Sequence, residues 1–184
     1  MWTIPKLPTT QPGYRLAFFG PMCSGKTYCA DYLVENYGYY KTSFASKLKA
    51  IAYELYGVEG KNGDNRRIIQ ELGDALRQFD DDVFSKYTLT MIKESKGKVV
   101  IDDLRLPREA QLLKESGFDL VLVNCPDAVR SERINRLYPD VPSARQSHAT
   151  EQSWAKIVPD RIVQSVGLAD LTDLDRLVES YEPY

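Results

Sequence analysis

The segment Gly20-Pro21-Met22-Cys23-Ser24-Gly25-Lys26-Thr27 fits the pattern G-x-x-x-x-G-K-[ST] at each fixed position. The spacing has a chemical reason. Four residues between two glycines let the chain wrap a phosphate group with successive backbone N–H groups turned inward. Glycine supplies dihedrals and a close approach that a Cβ denies. A helix opening at Gly25 adds its positive end to the same anion site. Lys26 is then placed to reach the β- and γ-phosphates of a nucleoside triphosphate, and the Thr27 hydroxyl to ligate Mg2+.

Such a loop works with an acid at the end of a neighbouring strand, which positions the metal or the attacking group. The run Lys98-Val99-Val100-Ile101-Asp102-Asp103-Leu104-Arg105 offers two acids, Asp102 and Asp103, just past an apolar stretch. Ligands of open parallel sheets bind at that end of a strand. Arg105, two residues beyond Asp103, suits bidentate binding of a phosphate beside the carboxylate. Asp103 is the best candidate for a general base, and either acid could serve the metal.

Three further groups carry charge that phosphate chemistry could use. Arg66, Arg67 and Gln70 lie on or near one helical face between the loop and the acids, where an insertion would build an acceptor pocket. They equally fit a solvated face. Arg130, Arg133, Arg136 and Arg145 fall in a basic stretch whose first three members step by i, i+3. As a flap closing over a triphosphate they would neutralise charge and exclude water; as a solvated helix they would do neither. The single histidine, His148, stands in Ser147-His148-Ala149-Thr150-Glu151, with no surrounding metal cluster.

The elements that must position these residues read as alternating strands and helices. Strands are expected at 15–20, 39–44, 98–102, 120–123 and 161–166. Helices are expected at 25–36, 45–56, 65–79, 82–95, 107–115, 127–137 and 171–181. Gly38, Gly57 and Gly117 supply stops, and Asp82 an N-cap. Without hairpin turns this alternation predicts βαβ units and a parallel sheet covered on both faces, an α/β fold. Residues 1–13, rich in Pro and Thr, read as an extended arm before one domain over 14–184.

Composition narrows the class. The chain has 184 residues, 43% hydrophobic and 27% charged, close to an average soluble domain. The net charge of −2 argues against a protein built to coat nucleic acid, though not against a local basic cleft. No apolar run approaches the ~18 residues of a membrane span. Pro5, Pro8 and Pro12 interrupt the start, and no basic cap precedes an apolar core there. The expectation is an intracellular, cytoplasmic protein without a membrane partner. Cys23, Cys29 and Cys125 are odd in number, match no zinc spacing and read as thiols of a reducing compartment.

Taken in order, SGKTYCADYL, FASKLKAIAYELYG, RRIIQELGDALR, VVIDDLRLPREA and SHATE resemble the deoxynucleoside monophosphate kinases of bacteriophages, over about residues 14 to 180. The most telling pieces are Asp103, Arg105 and Glu109 in D-x-R-x-x-x-E, and His148, Thr150 and Glu151 in H-x-T-E. The resemblance implies a three-layer P-loop kinase fold with a parallel five-stranded sheet, an acceptor-binding helical insertion at about 45–96 and a lid at about 128–150. It implies ATP with Mg2+ as donor, a deoxynucleotide 5′-phosphate as acceptor, and the cytoplasm of a host cell if phage-encoded. Carried onto this chain, Lys26 and the loop amides of Gly20–Thr27 hold the donor phosphates. Arg133 and Arg136 belong to the lid. Arg66, Arg67, Gln70, Asp103, Arg105, Glu109, His148 and Glu151 line the acceptor side, and Thr27, Asp102 and Asp103 face the metal. Two positions depart from the family: Thr27 where Asp is frequent, and Ser165 where an Asn often follows the last strand.

Related phage kinases phosphorylate a hydroxymethylated pyrimidine within DNA, so a DNA substrate is the main alternative; the twelve tyrosines suit it. Animal-type phosphomevalonate kinases share the loop and the D-x-R segment. A non-catalytic nucleotide-binding protein is a third reading. The sequence leaves the oligomeric state open, a homodimer included.

Overall fold

The computed structural model describes residues 15–59, 63–93, 97–138, 153–165 and 171–181. The expected arm over 1–13 lies outside them, as does most of the expected lid, 139–152. The described residues fall into two compact units. One is drawn from Thr42–Ser95, the other from Thr9–Lys41 together with Lys96–Tyr184.

The second unit holds a five-stranded parallel sheet. Its strands are β1 (Arg15–Phe19), β2 (Tyr40–Thr42), β3 (Val99–Ile101), β4 (Asp119–Asn124) and β5 (Arg161–Gln164), in the order β2-β3-β1-β4-β5. Both β1 and β3 are buried along their whole length, as their unbroken apolar runs require of strands covered on two faces. Leu16 aligns with Val100 on one side of β1 and with Asp119 on the other. Because β1 sits between β3 and β4, the chain reverses its direction of travel across the sheet there. Ligands bind at such a reversal in open α/β sheets.

Helix α1 (Lys26–Tyr37) packs on one face. Cys29, Ala30 and Leu33 meet Leu16, Phe18, Val100, Val121, Val123 and Val163 in one buried cluster. The last helix, α7 (Thr172–Glu179), adds Leu174, Leu177 and Val178 to it. The hydroxyls of Tyr32 and Tyr37 both donate to Asp175 Oδ1, at 2.9 and 2.7 Å, which fixes α1 and α7 together. The alternate residues of the strands point to the opposite face, where α5 (Pro107–Glu115) packs on β4. α6 (Asp127–Leu137) follows β4, and a 3-10 turn at Ser153–Lys156, which the periodicity does not announce, precedes β5.

The first unit is helical: α2 (Ala45–Tyr56), α3 (Gly63–Phe79) and α4 (Val83–Ile92), with α2 packed on the other two. Gly73 makes this possible, since a Cβ there would stand 3.0 Å from Leu48 Cδ2. The turn before α4 is capped differently from expectation. Asp82 makes no side-chain capping bond; Asp80 Oδ1 accepts the Asp82 N–H at 3.0 Å and also holds Lys86 Nζ. Among the described residues, no helix is long and apolar enough to cross a membrane.

Candidate active site

The loop between β1 and α1 is shaped by three residues with left-handed dihedrals. Gly20 (φ 138°), Cys23 (φ 60°) and Gly25 (φ 103°) turn the chain three times within six positions. The two glycines are required by their surroundings as much as by their dihedrals. A Cβ on Gly20 would stand 2.7 Å from the Val123 carbonyl oxygen, and one on Gly25 the same distance from Ser165 Oγ. The loop therefore lies directly on the ends of β4 and β5, and this packing adds to the need for a bare backbone.

Gly25 opens α1 without a side-chain cap, so the helix offers its first N–H groups to an anion. Lys26 Nζ bends back over the loop and donates to the carbonyls of Gly20 (3.0 Å) and Pro21 (2.7 Å). Ser24 Oγ is fully buried beneath the loop without a hydrogen-bond partner. Thr27 is exposed on the first turn of α1.

Asp102 and Asp103 follow β3, the strand beside β1, at the same edge of the sheet. Asp102 is buried and Asp103 half-buried. Lys41, a residue the sequence does not single out, stands between two acids: its Nζ lies 2.7 Å from Asp31 Oδ1 and 3.4 Å from Asp102 Oδ2. Burial works to lower the Lys41 pKa, but its hydrogen bond to Asp31 and the charge of Asp102 outweigh it and carry the pKa above the ordinary lysine value. Lys41 is the middle residue of β2, which adjoins β3 only through a strand order that no local pattern reveals.

Among the described residues, no group of three or more His, Cys, Asp or Glu side chains gathers as a metal set. Mg2+ needs none: it takes one or two carboxylates and completes its shell with phosphates and water. The Thr27 hydroxyl and the oxygens of Asp102 and Asp103 are hard donors of that kind, and they fit it.

Two of the expected ligands are engaged elsewhere. Glu109 is buried, and its Oε2 accepts the backbone N–H groups of Arg105 (3.2 Å) and Leu106 (3.0 Å). It caps the start of α5, a role announced by Pro107 and Glu109 at the first and third helical positions. Arg133 is only 8% exposed and donates to protein acceptors alone. Its neighbours at i−3 and i+3 on α6 make none of these contacts. Arg130 reaches back to Asp127 at 2.9 Å, and Arg136 is exposed. Of the three arginines only Arg133 is buried, and it holds backbone and side-chain acceptors of the loop and of the segments after β4 and β5. Arg105 is exposed beyond the two acids.

Arg66, Arg67 and Gln70 belong to α3 in the helical unit; Gln70 is exposed, and Arg67 pairs with Glu71 at 3.1 Å on an exposed face. Arg145, His148, Thr150 and Glu151 lie outside the described residues. None of the three cysteines is in a disulfide. Burial pushes the Cys29 thiol up to about 11, which keeps it protonated at neutral pH.

The sequence profile of a family described as an AAA domain (AAA_18) matches residues 17–151. A protein of Acanthamoeba polyphaga mimivirus, named "Putative deoxynucleotide monophosphate kinase", is 28% identical over a match spanning 60% of this chain and 74% of its own. Among solved structures, TT1252 of Thermus thermophilus superposes with a TM-score of 0.59 at 17% identity, covering 94% of this chain and 96% of the other. The APS kinase CysC of Mycobacterium tuberculosis, in complex with AMPPNP and APS, does so at 0.52 and 15%, covering 93% and 99%. At such identities the likeness is one of fold, and the fold is that of P-loop kinases.

Proposed function

Because this chain belongs to the AAA domain family (AAA_18), we propose that it transfers the γ-phosphoryl group of ATP to a nucleoside monophosphate, a deoxynucleotide, giving the diphosphate. The carrying observation is the juxtaposition at one edge of the sheet. A loop with a helix N-terminus and Lys26 ends β1, and an acid pair ends the adjoining β3. The name of the mimivirus relative supports the choice of acceptor.

In this reaction an oxygen of the acceptor phosphate forms a bond to the γ-phosphorus while the bridge to the β-phosphate breaks, leaving ADP. The attacking oxygen is already anionic, so the step needs positioning and charge neutralisation more than a base. The loop N–H groups and Lys26 hold the donor phosphates. Lys26 exchanges its two carbonyl partners for phosphate oxygens. Thr27, Asp102 and Asp103 are the residues that would hold Mg2+, which would supply charge stabilisation when bound with the nucleotide. Arg105 grips the acceptor phosphate.

A phosphate acceptor and a hydroxyl acceptor make different demands. A hydroxymethyl group within DNA must lose a proton, and Asp103 would be the base for it. The test is ADP release across all deoxynucleoside monophosphates, hydroxymethyluracil-containing duplex DNA and phosphomevalonate. Turnover with at least one free monophosphate is expected. ADP formed only with the modified duplex, or only with phosphomevalonate, would replace this reading.

A further inference from the structure

We infer that Arg133 is a positioning residue of the phosphate-binding loop, a buried brace beneath it that does not touch the transferred group. The inference rests on the reading that the loop binds a nucleoside triphosphate. Arg133 Nη1 donates to the carbonyl oxygens of Cys23 and Ser24, both at 3.3 Å. The same nitrogen reaches Ser165 Oγ at 3.2 Å and Cys125 Sγ at 3.5 Å, while Nη2 donates to the Ser165 carbonyl at 3.4 Å. One planar cation thus ties four segments together: the loop, the residue after β4, the residue after β5, and α6 itself.

The residues it grips are the ones that need holding. Cys23 is the one non-glycine residue with a left-handed φ among the described residues, a conformation that costs about 1–3 kcal/mol unless its surroundings impose it. A hydrogen bond to its carbonyl fixes the orientation of the next peptide, hence where the Ser24 N–H points. Gly25 completes the arrangement: a Cβ there would stand 2.7 Å from Ser165 Oγ, the hydroxyl that Arg133 also holds. A guanidinium presents its donors in a fixed fork, which suits several carbonyls at once; an ammonium is a point charge.

A brace and a phosphate-facing cation leave different signatures. The brace sets the loop, which holds donor nucleotides whether or not they carry a γ-phosphate, so its loss weakens ATP and ADP alike. A cation facing the transferred group matters for ATP and for the chemical step. The test uses the full chain with Arg133→Lys and Ser165→Ala, and the probes mant-ATP and mant-ADP.

For Arg133→Lys, both affinities are expected to fall by the same factor, about tenfold, with kcat at saturation changed by no more than about twofold. For Ser165→Ala the same pattern should appear at about threefold. A second readout needs no nucleotide: alkylation of the half-buried Cys23 by iodoacetamide, followed by peptide mass spectrometry, should quicken several-fold in both variants. Selective loss of mant-ATP, a collapse of kcat at saturation, wild-type behaviour of Arg133→Lys, or an unchanged Cys23 rate would each overturn the inference. If Arg133→Lys fails to fold by circular dichroism, Ser165→Ala decides. If the wild-type protein binds neither probe, the kinase reading falls, and the Cys23 rate alone judges the brace.

Discussion

The two units of this chain are held together by different kinds of interaction. In the sheet unit, two charged side chains near the loop are buried and matched to backbone groups, Arg133 to three carbonyls and Glu109 to two N–H groups. In the helical unit, charged side chains pair with one another on the surface, Arg67 with Glu71 and Arg77 with Asp74, while apolar groups such as Phe79 and Met91 stay exposed. Buried polar groups that are fully matched specify one arrangement, whereas surface pairs constrain little. The phosphate loop needs atoms fixed to fractions of an ångström. A helical unit faced with exposed pairs meets no such demand.

The contrast can be broken in several places. The largest effect belongs to Lys26→Ala. Turnover in the ADP-release assay should drop by about 10³-fold while the far-ultraviolet circular dichroism spectrum stays that of the wild type. Retained activity would remove the loop from the mechanism. Next comes Gly20→Ala, where the new Cβ meets the Val123 carbonyl in a left-handed residue. Thermal or denaturant unfolding should reveal a loss of about 2–4 kcal/mol.

A matched pair of substitutions then compares the units directly. Lys41→Met leaves buried Asp102 without its cation and should cost about 1–3 kcal/mol. Arg67→Ala removes an exposed ion pair and should cost less than about 0.5 kcal/mol. Equal stability losses would erase the distinction.

The smallest effect concerns acid. The hydrogen bond from Lys86 holds the Asp80 carboxyl below its usual range. Its contribution to stability is therefore present above the unfolded-state value, about 3.9, and is lost as pH falls through the lower folded-state value. Asp80→Asn should lower the melting temperature slightly near neutrality and flatten the profile between about pH 2 and 5, so that the variant and the wild type converge in acid.

Local chemistry made much of this molecule legible. α2, α5 and α6 run from 45 to 56, 107 to 115 and 127 to 137 as their caps announce, because Gly57, Pro107 and Pro126 act on the chain within a few bonds. The phosphate loop is legible for the same reason: its glycines and lysine are one contiguous segment. What stayed hidden depends on partners distant in sequence. Arg133 reads as a lid residue on its own helix, and only the approach of Cys23, Cys125 and Ser165 turns its guanidinium inward. Lys41 acquires a role only because β2 comes to lie beside β3. Glu109 carries both signals at once, sharing a motif with Asp103 and Arg105 while standing third in the helix it caps.

The shared grip of Tyr32 and Tyr37 on Asp175 has a consequence for how the protein is made. The helix behind the loop emerges early from the ribosome, but one wall of its packing, Leu174, Leu177 and Val178, is translated long afterwards. Until those residues appear, the nascent chain holds an anion-binding turn on an unsupported helix. Affinity for nucleotide should thus arrive late in synthesis, and ribosome-bound chains stalled before residue 171 should fail to retain it.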